Sequence, residues 1–254
     1  MSGLQVENLL VKFGGLTAVN STTFTAPIGQ ITGLIGPNGA GKTTTFDCCS
    51  GLRRPTGGTI TFDGVDVTGR SAADRAQRGM GRTFQRMQLY STLSVADNVA
   101  LGREARLANW QPWRHLVGRR GDRATLRAAV TDALDRCGIA DLRDALPDEL
   151  STGQRRLVEL ARAMAGDYRL LLLDEPSSGL DKAETKRFAA VLRDLVTEVG
   201  CGLLLVEHDM SLVLSLCDRI YVLDFGELIF EGTPAEVASS SIVRAAYLGS
   251  EEVA

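Results

Sequence analysis

A glycine-rich segment at residues 36–43, with the sequence GPNGAGKT, constrains this chain more than any other feature. It fits the pattern G-x-x-x-x-G-K-[ST] at each fixed position, and an apolar run at 31–35 precedes it. Residues 42–50 can open a helix, which gives the strand–loop–helix setting that a phosphate-binding loop requires. The alternative is a plain glycine-rich turn, which would not need the Lys-Thr pair. The pattern predicts a nucleoside triphosphate site in an α/β fold.

The expected contacts of this phosphate loop follow from its chemistry. Glycines let successive backbone N–H groups converge on phosphates, and the N-terminus of the following helix adds partial positive charge. Lys42 is expected to reach the β- and γ-phosphates, and the Thr43 hydroxyl is expected to ligate Mg²⁺. The predicted nucleotide-binding residues of the loop are Gly36, Asn38, Gly39, Ala40, Gly41, Lys42, Thr43 and Thr44.

Composition narrows the classes of function. A formal net charge of -3 over 254 residues argues against a general nucleic-acid binder, which would carry a basic excess. No apolar run approaches the roughly 20 residues that span a bilayer, and the N-terminus lacks the pattern of a secretory signal. A membrane role would therefore need another subunit to cross the bilayer. The five cysteines form no C-x-x-C pair, so we interpret them as small core residues in a reducing compartment.

Hydrophobic periodicity divides the chain into three kinds of structure. Alternating apolar positions at 4–13 and 17–24, with a further strand at 59–62, predict a small antiparallel sheet that the phosphate loop interrupts. Helical periodicity dominates from about 72 to 165. Beyond it, apolar runs alternate with helical stretches in the rhythm of a parallel sheet, and one short helix precedes a polar end. The predicted helices lie near 94–108, 123–137 and 152–166, and the apolar runs at 170–173, 203–206 and 220–223.

Two acids follow the apolar strand at 170–173, where a buried strand carries its functional residues. Asp174 is placed to hold Mg²⁺ through water, and Glu175 to polarise a water for attack on the γ-phosphate. The alternative is a strand followed by an acidic turn. The phosphate loop upstream favours the catalytic interpretation.

The pentapeptide LSTGQ at 150–154, just ahead of the acidic strand, resembles the L-S-G-G-Q signature of ABC transporter ATPases, with Thr152 in place of the first glycine. We call these residues the signature loop. By itself it also fits an ordinary serine N-cap. The resemblance implies that Ser151, Gly153 and Gln154 meet the γ-phosphate held by an opposite subunit, so that two chains arranged head to tail complete two sites.

Other elements of the family occur in order along nearly the whole chain. The resemblance implies that Phe13 stacks on adenine and that Gln85 senses Mg²⁺ and links the site to the membrane subunit. It also implies that 178–181 crosses a dimer interface and that His208 contacts the γ-phosphate. A core phenylalanine and a structural histidine are the alternatives at the two ring positions. The implied catalytic residues are Glu175, His208, Lys42 and Gln85, and the implied metal-site residues are Thr43, Gln85 and Asp174.

The family also implies an architecture. We expect a single ABC ATPase domain over 1–254, built on a P-loop NTPase parallel-sheet core at about 31–85 and 166–235. An N-terminal antiparallel β subdomain would occupy about 1–30 and 55–70, an inserted helical subdomain about 86–165, and a short tail 236–254.

Finer resemblance is to importer subunits that serve branched-chain amino acids. It implies ATP and Mg²⁺ as cofactors and a peripheral location on the cytoplasmic face of the plasma membrane. The implied partners are a second ATPase subunit, transmembrane permeases and, indirectly, an extracytoplasmic solute-binding protein, with no nucleic acid. The segment at 103–123 would contact the membrane or a partner, or would be a solvated loop over the core. It contains Trp110, Trp113, Arg114, His115, Arg119 and Arg120.

Three rival classes share part of this pattern. The ATPase of a lipid or lipopolysaccharide exporter shares many local features, and the segment at 103–123 favours the importer over it. A soluble ABC ATPase acting on DNA or ribosomes would carry coiled coils or two joined ATPase domains. A non-ABC enzyme with a phosphate loop, such as a small-molecule kinase, would not explain the signature loop or His208. The sequence does not identify the transported solute.

Overall fold

Two β-sheets and a set of helices make up residues 2–83, 89–107 and 120–248, which the computed structural model describes, apart from the side chains of 105–107, 120–122 and 248. The strands are β1 Gly3–Phe13, β2 Leu16–Pro27, β3 Ile31–Ile35, β4 Gly57–Phe62, β5 Val65–Asp66, β6 Met80–Arg82, β7 Leu170–Asp174, β8 Gly202–Val206, β9 Arg219–Asp224 and β10 Glu227–Gly232. The helices are α1 Lys42–Ser50, α2 Ala72–Gln77, α3 Val95–Leu107, α4 Arg120–Arg136, α5 Thr152–Ala165, α6 Lys182–Val199, α7 Met210–Leu216, α8 Pro234–Ser239 and α9 Ser241–Leu248.

The smaller sheet is antiparallel, with strand order β2-β1-β4-β5. Its first hairpin turns at Gly14 and Gly15, and the apolar positions that alternate along β1 are buried, beginning with Leu4 and Val6. Because one face of the sheet packs on a core and the other meets water, the alternation seen in the sequence is the expected one. The predicted antiparallel β subdomain is confirmed.

The larger sheet has the order β10-β9-β3-β8-β7-β6, and its strands are parallel except for β10. Strands β3, β7 and β8 are buried along their whole length, which explains their continuous apolar sequences. The register places Leu34 beside Val206, and Val206 beside Asp174. The phosphate loop, the acidic pair and the segment before His208 therefore leave the sheet at the same edge.

The inserted helices pack on one another, with α3, α4 and α5 in mutual contact. Helix α5 buries Leu157, Val158 and Leu160 on one face, and these side chains join a core cluster that also includes Leu171 of β7. The predicted P-loop fold with an inserted helical part is confirmed. Within the described residues, no helix has the length and apolar character needed to cross a bilayer.

Two features differ from the sequence interpretation. Residues 80–82 form strand β6, although the helical period was expected to dominate from about 72. A strand of this length has no periodicity of its own, and its pairing with β7 defines it. Beyond residue 234 there are two helices rather than one, because α9 also buries an apolar side chain, that of Val243.

Candidate nucleotide site

The phosphate loop is shaped by close backbone approaches. Gly36 has φ 152, and a Cβ there would lie 2.1 Å from the carbonyl oxygen of Leu223. Gly41 has φ 95, and a Cβ there would lie 2.6 Å from the carbonyl oxygen of Ala18. Both positions therefore require glycine. Gly41 is also the N-cap of α1, and no side chain among the described residues caps that helix. Its first N–H groups are the kind of donor that binds phosphate.

Lys42 is held inside the loop, with only 9% of its surface exposed. Its Nζ donates to the carbonyl oxygens of Gly36 at 2.7 Å and Pro37 at 2.8 Å. Burial lowers the pKa of Lys42, against the opposing effect of Glu175 and Asp174. The backbone of the same loop that would bind the phosphates therefore holds Lys42 in position. Thr43 is exposed and Thr44 is half-buried.

Asp174 lies at the end of β7 with 2% of its surface exposed. Burial raises the pKa of Asp174, and the guanidinium of Arg82 partly offsets this shift. The Nη2 of Arg82 lies 3.3 Å from the carboxylate Oδ2, and its Nη1 donates to Asp47 and to Ser50, each at 2.7 Å. Arg82 therefore ties the acid to helix α1. Sequence reasoning missed this residue, and the only available signal was a basic residue three positions before Gln85.

Glu175 and His208 face each other at the same edge of the sheet. The Nδ1 of His208 is 3.7 Å from the Oε1 of Glu175, and the side chain of His208 is 62% exposed. Glu175 has φ 44, an uncommon conformation for a residue with a side chain. Its N–H donates to the carbonyl oxygen of Val206 at 2.8 Å, which fixes the turn that aims the carboxylate at the site.

Phe13 ends β1 with 43% of its surface exposed, so it is not a core phenylalanine. The guanidinium carbon of Arg53 lies 4.5 Å from the ring centroid. One face of the ring is therefore backed by a cation, and the exposed part offers an aromatic surface on which a flat base can stack.

The signature loop lies on the helical part of the molecule. Ser151 caps α5, its Oγ accepting the N–H of Gln154, while the Gln154 side chain accepts the N–H of Ser151 at 2.8 Å. A Cβ on Gly153 would lie 2.3 Å from the carboxylate of Glu184, so a larger residue there would displace that side chain. Helix α5 packs on α3 and α4, whereas α1 packs against strands of the two sheets. In the described residues of one chain, the signature loop is thus placed apart from the phosphate loop.

Two predicted elements fall outside the described residues. Gln85 is one of them. The other is most of the segment at 103–123, including the side chains of Trp110, Trp113, Arg114, His115, Arg119 and Arg120.

Comparison with known proteins agrees with this geometry. A family model described as "ABC transporter" matches residues 19–178, a range that contains the phosphate loop, the signature loop and the acidic pair. The chain belongs to the ABC transporter family. A second model, described as "Branched-chain amino acid ATP-binding cassette transporter", matches residues 227–253 of this ABC ATPase.

Relatives of this ABC ATPase align with it over nearly its whole length. The high-affinity branched-chain amino acid transport ATP-binding protein LivG of Salmonella typhimurium is 36% identical, over 97% of each chain. The corresponding protein BraF of Pseudomonas aeruginosa is equally similar, also over 97% of each chain. Among solved structures, the ADP conformation of an ATP-binding cassette of an ABC transporter has a TM-score of 0.86 and 28% identity, covering 98% of this chain and 99% of that one.

Family membership makes this chain an ATPase of the ABC type, with the fold and motif order predicted from the sequence. The residues present also fit Mg²⁺ beside a triphosphate. A buried carboxylate, that of Asp174, lies at the sheet edge where the phosphate loop begins, and hydroxyl and carboxylate oxygens are ligands that Mg²⁺ prefers.

Proposed function

We propose that this chain is the ATP-hydrolysing subunit of an importer for branched-chain or related amino acids. The observation that carries the proposal is the full-length similarity to LivG and BraF, joined to the C-terminal match at 227–253. The domain division given in the sequence analysis stands as part of this proposal. The protein would lie on the cytoplasmic face of the membrane, bound to transmembrane permeases and indirectly served by a solute-binding protein.

In the proposed binding step, Phe13 stacks on adenine and the phosphate loop surrounds the phosphates. The α1 N-terminus and Lys42 neutralise phosphate charge, which Lys42 can do by turning from its backbone acceptors toward the β- and γ-phosphates. The loop residues assigned to this step are Gly36, Asn38, Gly39, Ala40, Gly41, Lys42, Thr43 and Thr44.

Thr43, Asp174 and Gln85 are the proposed residues of the Mg²⁺ site. When bound, Mg²⁺ neutralises charge on the transferring phosphoryl group and orients it. Asp174 suits this role because its burial disfavours an uncompensated negative charge. Arg82 supplies partial compensation and holds the carboxylate in place.

Glu175 is the proposed general base, and His208 the proposed contact with the γ-phosphate. Glu175 orients and deprotonates the attacking water, and the imidazole, 3.7 Å from its carboxylate, fixes the reacting group on the other side. The site is incomplete in one chain because the signature loop packs on the helical part. Ser151, Gly153 and Gln154 of a second ATPase subunit would close it, and closure would be the step that drives the permease.

The proposal is tested by uptake and by copurification from the native cells. Deleting the gene should abolish uptake of labelled leucine, isoleucine and valine at low concentration, and the wild-type gene should restore it. The Lys42→Ala variant should be expressed in these cells but should not restore uptake. Gentle solubilisation should recover two permeases with the tagged chain. Normal uptake in the deletion strain, or recovery with a lipid-export assembly, would contradict the proposed substrate.

A further inference from the structure

Glu207 is a fully buried acid to which the proposed mechanism gives no role. It follows β8 and immediately precedes His208, and none of its surface is exposed. Such a carboxylate is costly to bury unless hydrogen bonds satisfy it. Because Glu207 lies between β8 and His208, its hydrogen-bond partners show which segments are held beside His208.

The partners of Glu207 belong to the two loops that carry the proposed chemistry. Its Oε1 accepts the backbone N–H of Ser177 at 2.9 Å and the hydroxyl of Ser177 at 2.8 Å. Its Oε2 lies 3.3 Å from the backbone nitrogen of His208, which donates to it. Ser177 stands two residues after Glu175 and is itself buried. One side chain therefore links the acidic loop, residues 175–178, to the turn that carries His208.

This link bears on the backbone conformation of Glu175. A φ of 44 is unfavourable for a residue with a side chain, and it persists only where the surroundings hold it. The N–H of Glu175 donates to Val206, and Ser178 donates back to the carbonyl oxygen of Glu175 at 3.1 Å. Glu207 adds to these hydrogen bonds by holding Ser177, which lies between Glu175 and Ser178 in the sequence.

We infer that Glu207 is a positioning residue for hydrolysis, holding the carboxylate of Glu175 and the imidazole of His208 in register through Ser177 and the His208 N–H. The inference rests on the proposed roles of Glu175 and His208. Among the described residues, the hydrogen-bond partners of Glu207 are Ser177 and the His208 N–H, neither of which belongs to the phosphate loop. Glu207 therefore affects the rate of the chemical step and leaves nucleotide binding unchanged.

The experiment compares Glu207→Ala and Glu207→Gln in the full chain. Glu207→Ala should lower kcat by about tenfold or more while the KM and Kd for ATP stay within about twofold, since small misplacements of catalytic groups are costly. Glu207→Gln keeps one acceptor oxygen for Ser177 but turns an NH₂ toward the N–H of His208, so its kcat should be intermediate. Ser177→Ala should lower kcat in the wild type and have little effect in Glu207→Ala.

Asp218→Asn is the control for stability. The carboxylate of Asp218 accepts the N–H of Ile31 at 2.7 Å, at the end of β3 away from the phosphate loop. This variant should lower Tm without changing kcat per folded molecule. If Glu207→Ala does not fold, the Glu207→Gln variant decides.

Two results would overturn the inference. One is a wild-type kcat in the folded Glu207 variants. The other is a loss of kcat and of ATP binding in the same proportion, which would indicate a purely structural residue. Glu175→Gln separates these results from failure of the proposed function. If that variant is inactive while the Glu207 variants turn over normally, only the positioning role is wrong. Normal turnover in Glu175→Gln would instead refute the proposed base.

Discussion

Asp174 and Lys42 are ionisable side chains that the fold largely buries. Burial raises the pKa of Asp174 and lowers the pKa of Lys42, so it favours the neutral form of each. Each is only partly compensated, Asp174 by Arg82 and Lys42 by backbone carbonyls. Such sites cost stability in the free protein, and a ligand of opposite charge recovers that cost on binding. At the scale of residues, these two buried charges fit the proposed binding of a nucleotide with Mg²⁺.

Asp174→Asn is expected to raise the Tm of the nucleotide-free protein at neutral pH, by on the order of 2 °C, while abolishing Mg²⁺-dependent hydrolysis. Arg82 keeps Asp47 and Ser50 as partners, so it is not left unpaired. Because the folded-state pKa of Asp174 is raised, the ionised carboxylate costs stability above that pKa. The cost is relieved as pH falls through it. The difference in Tm should therefore shrink as the pH of the thermal melts is lowered from neutral into the acidic range, and a lower Tm of the variant at neutral pH would contradict the prediction.

Glu175→Gln is expected to bind ATP normally and to hydrolyse it very slowly. The amide keeps the shape of the side chain, but it cannot take a proton from the attacking water. The measurements are ATP affinity, turnover, and mass by light scattering with and without ATP, where an ATP-bound dimer should accumulate. Wild-type turnover would rule out Glu175 as the base.

Among the elements, α1 depends on a cation at the end opposite to the phosphate loop. Arg75 of α2 has 1% of its surface exposed, and its Nη1 donates to the carbonyl oxygens of Cys48 and Cys49 at 2.7 Å. Its Nη2 donates to the carbonyl oxygen of Val67 at 2.7 Å. A cation at a helix C-terminus satisfies the last carbonyls and opposes the helix dipole. Arg75 thereby fixes the helix that carries Lys42.

Arg75→Met should lower the free energy of unfolding by about 3 kcal/mol, because it removes the buried hydrogen bonds from a charged donor to the carbonyl oxygens of Cys48, Cys49 and Val67. Urea denaturation monitored by circular dichroism measures this. The exposed neighbour Arg78→Met is the control and should change stability by less than about 0.5 kcal/mol. Equal effects of the two substitutions would mean that the buried contacts contribute little.

For the whole molecule, the decisive arrangement is that the phosphate loop and the signature loop lie on different parts of one chain. A head-to-tail dimer would bring the phosphate loop of each chain to the signature loop of the other, with two equivalent sites related by twofold symmetry. Each site would then take one half from each chain. This arrangement predicts complementation between variants that are damaged in different halves.

Lys42→Ala and Ser151→Arg should each lack ATPase activity, the first in the phosphate loop and the second in the signature loop. An equimolar mixture should recover about a quarter of wild-type activity, since half of the randomly formed dimers would contain one intact site of two. Ser151 is exposed, so an arginine has room there, and the loss of the α5 N-cap should cost about 1 kcal/mol. ATPase assays of each variant and of the mixture test this. No recovery on mixing would contradict shared sites.

The sequence by itself identified the groups to which the proposed chemistry is assigned. The phosphate loop, the acidic pair and the signature loop are contiguous motifs, so each can be recognised from the local sequence. The buried strands were equally clear, since β3, β7 and β8 are almost continuously apolar.

Only the tertiary structure decided how these groups are supported. The contacts of Arg82 with Asp174, and of Glu207 with Ser177, join residues 92 and 30 positions apart. They exist because the sheet order places β7 between β6 and β8, and strand register is set by burial and pairing across the whole sheet. Glu207 carried a readable signal, an acid directly after an apolar strand, as Asp174 did. Its role could not be assigned because a hydrogen-bond partner is a property of three-dimensional packing, and the local sequence does not specify it.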